Sequence, residues 1–231
     1  MLIKSCFLFL YGSCLASFAC CFAKRYATNT SILNPPSYCD NCHHRLTFWQ
    51  LIPILGYLLQ RGHCHFCHAK ISKLSTFWEL FCGLTLAFLG NQLAYIHWPL
   101  LLALFFWCLC LSLQDYYTQT VASELLYFGG CFILLCGIKY CYFSLQTQWS
   151  LLLILIVLLG SLSYLGKLGS ADVFFILIIA CLLGFFYTIY LLLLACILAV
   201  CYCFWQHKHQ IAFIPFLSSA LLLLLFYLRF S

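Results

Sequence analysis

Charged side chains are scarce in this chain, and acidic ones are the scarcest. Lys, Arg, Asp and Glu make up 7% of the 231 residues, whereas hydrophobic residues make up 65% and the mean hydropathy is +1.03. Soluble domains carry about a quarter charged residues, so this composition excludes a soluble globule and predicts a membrane protein. The net charge of +6 is then explained by basic residues at the membrane surface, and no nucleic-acid partner is expected.

Long apolar runs account for most of the sequence. A helix of roughly 17 to 23 apolar residues crosses a hydrocarbon core of about 30 Å with its backbone hydrogen bonds satisfied internally. The sequence therefore predicts an all-α polytopic membrane protein with about eight transmembrane helices. The sixth and seventh are separated only by an expected tight turn next to Phe186 and Tyr187. The predicted spans are 3–23, 76–94, 98–114, 124–143, 150–165, 172–187, 188–205 and 211–229.

Lys and Arg are distributed unevenly over the predicted loops. Cytoplasmic loops retain positive charge, and eight basic residues share one side of the membrane if the N-terminus lies outside. This orientation predicts a multi-pass plasma-membrane protein whose longest loop, between the first two spans, is cytoplasmic. The alternative for residues 1–23 is a cleaved signal peptide, which would leave that loop outside. The expected cytoplasmic residues are Lys24, Arg25, Arg45, Arg61, Lys70, Lys73, Lys167 and Lys208, and the opposite side holds Lys4, Lys139 and Arg229.

Two Cys-x-x-Cys pairs lie in that loop. Cys39 and Cys42 are separated by 21 residues from Cys64 and Cys67, a spacing typical of a closed tetrahedral site for structural zinc. Thiolates kept for a metal indicate a reducing compartment. The neighbouring histidines leave a mixed Cys/His set as an alternative, although four paired cysteines form the simpler one. These histidines are His43, His44, His63, His65 and His68.

The loop divides the chain into three predicted parts. They are a first transmembrane helix at 1–23, a zinc-binding loop at 24–75 and a membrane core at 76–231. The loop is too short to bury a useful core. Structural zinc can contribute on the order of 10 kcal/mol to its free energy of folding. Its apolar segment 48–59 contains Pro53 and Gly56, so we expect it to lie on the membrane surface or pack on the spans.

Only five carboxylates occur in the whole chain, and acids inside membranes usually mark function. Asp115 ends the third predicted span and Asp172 begins the sixth, so both are expected at the cytoplasmic boundary, where they could meet. Two carboxylates in contact share one proton and can act as base and acid, as in an aspartic protease. The alternative is two ordinary helix-end acids, since Asp172 would be favourable at a helix N-terminus. Glu79 is either the partner of a buried Arg or a third member of a polar site.

Several motifs occur in an order that resembles the type IV prepilin peptidases. Asp115 matches the family's first catalytic aspartate, and Asp172 matches the aspartate of its glycine-rich second motif. Ala171 replaces the glycine before that aspartate, and Ala122 replaces a proline seven residues after the first. The remaining matches are Ala16-Ser17-Phe18 with Arg25, the four cysteines, Leu51-Ile52-Pro53, Arg61-Gly62, Ile71-Ser72 leading to Glu79, and Ile214-Pro215-Phe216.

The resemblance implies a membrane aspartic endopeptidase. Its substrates would be prepilin-like or pseudopilin-like membrane proteins of type IV pilus, competence or protein secretion systems, cut at the cytoplasmic membrane face. It implies Asp115 and Asp172 as catalytic residues and structural zinc at the cysteines. It also implies N-methylation of the new N-terminus from S-adenosylmethionine, for which no pocket can be identified in the sequence. Two further departures, Thr76 and Cys20, suggest a compact competence-associated Gram-positive member and make methylation less secure than proteolysis.

Two other classes of protein compete with this interpretation. A noncatalytic membrane assembly or binding protein would use the zinc-clipped cytoplasmic loop to dock a partner, and it would tolerate Asn at both Asp115 and Asp172. A transporter would need a path of polar residues through the spans. The spans contain too few polar residues to outline such a path.

Overall fold

The computed structural model describes residues 2–31, 34, 36–92, 98–139, 149–206 and 211–227. Within these residues the protein is built from ten helices, and its only β-pairing consists of two isolated bridges. The chain forms two compact units, Met1–Tyr95 and Ile96–Ser231. The first unit groups the predicted loop 24–75 with the helices on both sides of it.

The first unit contains four helices. They are α1 (Leu2–Ala27), α2 (Phe48–Leu51), α3 (Leu55–Leu59) and α4 (Lys73–Gln92). Helices α1 and α4 pack closely through glycines: a Cβ on Gly12 would lie 2.7 Å from the carbonyl oxygen of Cys82, and Gly83 lies against Ser13. Ala16 is fully buried in α1. Small residues that let two backbones approach are a common basis for helix association in membranes.

Six helices form the second unit. They are α5 (Trp98–Thr118), α6 (Ser123–Lys139), α7 (Trp149–Tyr164), α8 (Ser170–Leu183), α9 (Phe185–Gln206) and α10 (Ile214–Tyr227). Trp107 connects three of them. Its ring stacks on Phe175 of α8 at a centroid distance of 5.1 Å, and its Nε1–H donates to the carbonyl of Leu125 in α6 at 3.0 Å. Ser112 of α5 donates to Ser218 of α10 at 2.6 Å.

Eight of these helices coincide with the eight predicted apolar runs, which confirms the helical prediction. Among the described residues, three stretches are long and apolar enough to cross a membrane by length and composition: Ile3–Ala27, Leu100–Thr118 and Phe185–Gln206. Four shorter apolar helices also occur, at Ser123–Gly137, Ser150–Tyr164, Ser170–Leu183 and Ile214–Tyr227. These helices are those of a membrane protein, whereas the number of about eight crossings stays a prediction.

The turn between α8 and α9 differs from the predicted position. The predicted division lies after Tyr187, but α8 ends at Leu183 and α9 begins at Phe185. Gly184 between them has φ +88°, a backbone conformation that glycine adopts without steric cost. The predicted end of α8 was therefore wrong by four residues and the predicted start of α9 by three, because the turn at Gly184 lies within a continuous apolar run.

Other boundaries are also shifted. Helix α5 continues past the predicted residue 114 to Thr118, so Asp115 does not end it, and α10 begins at Ile214, after residue 211. Helix α1 continues past residue 23 to Ala27, with Lys24 and Arg25 in its last turn, where positive charge is favourable for the helix dipole. Helix α4 begins at Lys73, before residue 76. Residues 93–94, 140–143 and 228–229 of the predicted spans lie outside the described residues, as do Lys208 and Arg229.

Candidate functional site

The first cysteine pair lies in a tight hairpin. Tyr38 and Arg45 form an antiparallel bridge, and the N–H of Cys39 donates to the carbonyl of His44 at 3.0 Å. His43 has φ +56° and its N–H donates to the carbonyl of Cys39 at 2.9 Å. The chain therefore turns immediately after the second cysteine of the pair.

The second pair repeats this geometry. His63 and Lys70 form the bridge, and the N–H of Cys64 donates to the carbonyl of Ala69 at 2.9 Å. His68 has φ +55°, and its N–H donates to the carbonyl of Cys64 at 3.0 Å. The two Cys-x-x-Cys segments thus form two similar hairpins.

The hairpins bring all four sulfur atoms together. The Sγ atoms of Cys39 and Cys67 are 3.8 Å apart, those of Cys42 and Cys64 are 3.9 Å apart, and all four lie within 4.8 Å of one another. Four sulfurs bound tetrahedrally to zinc at about 2.3 Å are about 3.8 Å apart. The four cysteines therefore have the donor type and the spacing of a structural metal site.

Backbone N–H groups favour the thiolate form at the second hairpin. The N–H of Ala69 is the main cause that lowers the pKa of the Cys67 thiol from 9.0 to about 6. The N–H groups of Cys67 and Phe66 lower the pKa of Cys64 in the same way. Thiolates are the form in which cysteine binds metal, so the second hairpin favours a bound cation. In the first hairpin the backbone N–H of His44 lowers the pKa of the Cys42 thiol, but burial and the neighbouring thiols outweigh it and raise that pKa to about 11.

The histidines near the cysteines have other contacts. The His43 ring lies 5.3 Å from the Tyr38 ring, and Nδ1 of His63 lies 2.9 Å from the carbonyl oxygen of Arg61. In the part of the chain that the structure describes, the cluster able to hold a metal contains the four cysteines and no histidine. The geometry thus favours the all-cysteine set over the mixed alternative.

Glu79 is buried in the first unit. Its side chain is 7% exposed, Oε2 accepts the backbone N–H of Ile54 at 2.8 Å, and Oε1 accepts the hydroxyl of Ser75 at 3.3 Å. The sequence predicted a buried Arg or a polar site around it. The hydrogen bond to the backbone of the cysteine loop was not anticipated, because the sequence pattern does not show which N–H of a loop turns inward.

Asp115 lies near the end of α5 and is buried. Its Oδ2 accepts the backbone N–H of Ile214 at 3.0 Å. Ile214 is the first residue of α10 and opens the Ile-Pro-Phe triplet. The carboxylate therefore pairs one of the N–H groups that a helix start leaves without an intrahelical partner, where the helix dipole favours negative charge.

Asp172 is the third residue of α8, whose N-cap is Gly169. Its carboxylate lies beside the backbone of Gly169, near the N–H that an acid at this position takes in a capping box. A Cβ on Gly169 would lie 2.9 Å from Oδ2 of Asp172. The glycine of the second motif is thus explained by the space that this carboxylate needs. Ala171 is half-buried, and no contact of its methyl group explains the replacement of a glycine there.

The two predicted acids belong to the same unit and interact electrostatically. Asp115 and Asp172 come from distant parts of the sequence, and each carboxylate lies at a helix start. Two carboxylates that come into contact hold one proton between them. The arrangement can therefore serve acid–base chemistry, while the capping contacts show that the helix-end interpretation describes part of their role.

Gln114, next to Asp115, was missed by sequence reasoning. Its side chain is fully buried, and its Oε1 accepts the N–H of Ala122 at 3.4 Å. Its Nε2 has no hydrogen-bond partner among the described residues. Ala122 is where the resembled family has proline, which lacks an N–H, so Gln114 accepts a donor that the alanine introduces. A polar side chain in an apolar run was the signal available in the sequence.

Comparison with known families followed the same division of the chain. The model described as the type IV leader peptidase family matches residues 102–204, which include Asp115 and Asp172. The model described as the bacterial peptidase A24 N-terminal domain matches residues 10–93, which include the four cysteines and Glu79. The chain belongs to the type IV prepilin peptidase family. The resemblance drawn from the motifs is therefore confirmed.

Individual relatives are named prepilin leader peptidase/N-methyltransferase. A prepilin leader peptidase/N-methyltransferase of Pseudomonas putida is 31% identical over 130 residues, which cover 50% of this chain and 45% of the relative. Those of Myxococcus xanthus and Bacillus subtilis are 37% and 42% identical over 78 and 65 residues, covering 34% and 28% of this chain and 23% and 26% of the relatives. The chain thus spans less than half the length of these relatives. No solved structure matches it.

Proposed function

We propose that this type IV leader peptidase family member is a membrane aspartic endopeptidase that removes the leader from prepilin-like proteins. The observation that carries the proposal is the electrostatic interaction between Asp115 and Asp172 within one compact unit. Both residues fall inside the segment matched by the peptidase family model. The names of the relatives give the substrate class, and pseudopilin-like proteins would present the same chemistry.

The reaction requires one proton to be exchanged between two carboxyl groups. The ionised carboxylate takes a proton from water, whose oxygen then attacks the scissile carbonyl. The protonated partner polarises that carbonyl and gives its proton to the leaving amine, after which the roles are reset. The N–H of Ile214 holds the Asp115 carboxylate in position, and the Asp172 carboxylate lies against Gly169.

The cysteine cluster supports the structure in this proposal. Zinc held by Cys39, Cys42, Cys64 and Cys67 would contribute folding free energy to residues 24–75, and four thiolates leave no open position for a substrate. In this proposal the two aspartates therefore catalyse the cleavage. A reducing, cytoplasmic location of the loop follows from the thiolate chemistry and from the distribution of basic residues.

The relatives' names also include N-methyltransferase. We propose the corresponding second activity for this chain, with S-adenosylmethionine as the methyl donor and the amine exposed by cleavage as the acceptor. It depends on prior cleavage, because that amine does not exist in the uncut substrate. The same mass measurement on the product would detect the added methyl group.

The proposal can be tested by coexpressing the full chain with a prepilin and measuring the mass of the product. Asp115→Asn and Asp172→Asn should each lower cleavage by at least about 100-fold, because general acid–base catalysis contributes that much. Glu124→Gln is the matched control, since Glu124 is an exposed acid in the first turn of α6. It should cleave normally. Unchanged cleavage in either Asp variant would refute the dyad and favour the noncatalytic assembly or docking protein.

A further inference from the structure

A strained turn lies between the two cysteine pairs. Ile54 has φ +63° and ψ −53°, and the N–H of Leu55 donates to the carbonyl of Pro53 at 2.6 Å. These features form a γ-turn centred on Ile54, an arrangement that is rare and strained. Positive φ is particularly unfavourable for a β-branched residue. Such a backbone persists only where its surroundings hold it.

The group that holds this turn is the carboxylate of Glu79. Oε2 accepts the N–H of Ile54 itself, at 2.8 Å, across 25 residues of sequence. The bond is charge-assisted and therefore stronger than one between neutral groups. Glu79 is 7% exposed, so water competes little for it, and an unpaired carboxylate at this depth would be costly. Ser75 supplies the weaker second contact, at 3.3 Å.

The turn connects helices α2 and α3, which pack tightly on each other. Gly56 lies so close to the backbone of Gln50 that a Cβ would not fit there. The cysteine cluster joins the two hairpins on either side of this helix pair, whereas the Glu79 bond joins the pair itself to α4. Two separate interactions thus hold the loop: the cluster of four cysteine sulfurs and the hydrogen bond to the Glu79 carboxylate.

We propose that Glu79 is a positioning residue that fixes the cysteine loop on helix α4 through the strained turn at Ile54. The metal site folds the hairpins, and Glu79 determines how the segment between them is oriented. The consequence for prepilin cleavage rests on the proposed function. There, Glu79 would act on substrate binding and not on the chemical step.

The test uses the full chain in lipid nanodiscs and compares Glu79→Gln with the parent protein. Hydrogen exchange resolved to the amides of Leu55 and Leu58 reports on the turn, and zinc content reports on the cysteines. We expect about ten-fold faster exchange, since a charged acceptor is replaced by a neutral one, with unchanged zinc content. Ser75→Ala is the matched control and should change exchange much less. Equal exchange in Glu79→Gln and the parent, or zinc loss in parallel with faster exchange, would overturn the proposal.

A rescue experiment separates positioning from general stabilisation. Glycine adopts positive φ readily, so Ile54→Gly relieves the strain, and Glu79→Gln should then accelerate exchange at Leu55 and Leu58 far less than it does with Ile54 present. Equal acceleration in both backgrounds would contradict the proposal, because independent sites add. With a prepilin substrate, Glu79→Gln should raise KM several-fold at unchanged kcat. A protein that never cleaves prepilin would refute the proposed function, while exchange and zinc content still decide the role of Glu79.

Discussion

Replacing Gly169 by alanine would test whether Asp172 acts from the position described above. Gly169 has φ −65° and ψ 142°, which any residue adopts, so the substitution introduces no backbone strain. Its new Cβ would lie 2.9 Å from Oδ2 of Asp172, closer than a carbon and an oxygen normally pack. The carboxylate must therefore rotate away from residue 169.

The size of the effect follows from that displacement. A misplacement of about 1 Å at a reacting group can lower the rate by about 100-fold. If the reaction needs the carboxylate where it lies now, we expect kcat to fall by about ten- to 100-fold. Folding stability should change by less than about 1 kcal/mol, because the half-buried carboxylate can move towards solvent.

The assay is prepilin cleavage by purified protein under saturating substrate, together with the melting temperature of each variant. Gly160→Ala is the matched control, since a Cβ at Gly160 meets nothing within 4 Å. We expect the Gly169 variant to keep its melting temperature and lose activity, while the Gly160 variant keeps both. Normal cleavage by Gly169→Ala would show that the Asp172 carboxylate does not need this position.

Three further outcomes are expected. Cys67→Ser should lower zinc content and make residues 36–72 more sensitive to protease, because a structural site needs all four thiolates; full zinc content would contradict the metal assignment. Gln114→Leu should lower the free energy of unfolding, measured in urea, by about 1 to 2 kcal/mol, because the Ala122 N–H is left unpaired. Adding Ala122→Pro removes that N–H and should recover part of the lost free energy. A purely additive loss in the double variant would refute the pairing. Trp107→Phe should lower the free energy of unfolding by about 1 kcal/mol, because the hydrogen bond to α6 is lost. Unchanged thermal unfolding would show that this bond adds no stability.

The cysteine cluster was the most predictable part of the candidate site. Two Cys-x-x-Cys pairs carry their geometry in their spacing, since a hairpin around each pair turns both thiols the same way. The sequence did not identify His43 and His68 as the residues with left-handed φ in these hairpins. A histidine next to a cysteine indicates a ligand as readily as a turn, and only the backbone distinguishes the two.

The acids were located by their scarcity, but their partners were not predictable. Asp115 and Asp172 stand out because an apolar chain seldom contains carboxylates. Their neighbours, the N–H of Ile214 beside Asp115 and the backbone of Gly169 beside Asp172, depend on where two helices begin in space. The turn at Gly184 was missed for a related reason, because one glycine within a continuous apolar run does not by itself indicate a turn.

By itself, the sequence determined the class of protein, the helical segments, the cysteine cluster and the two acids that belong to the family motifs. These follow from composition, periodicity and short-range spacing, which are properties of the chain read in order. Only the tertiary structure decided that Asp115 and Asp172 interact, that Gln114 accepts the Ala122 N–H, and that Glu79 holds the turn at Ile54. Hydrogen bonds between distant segments depend on how helices pack, and packing is a property of the whole fold.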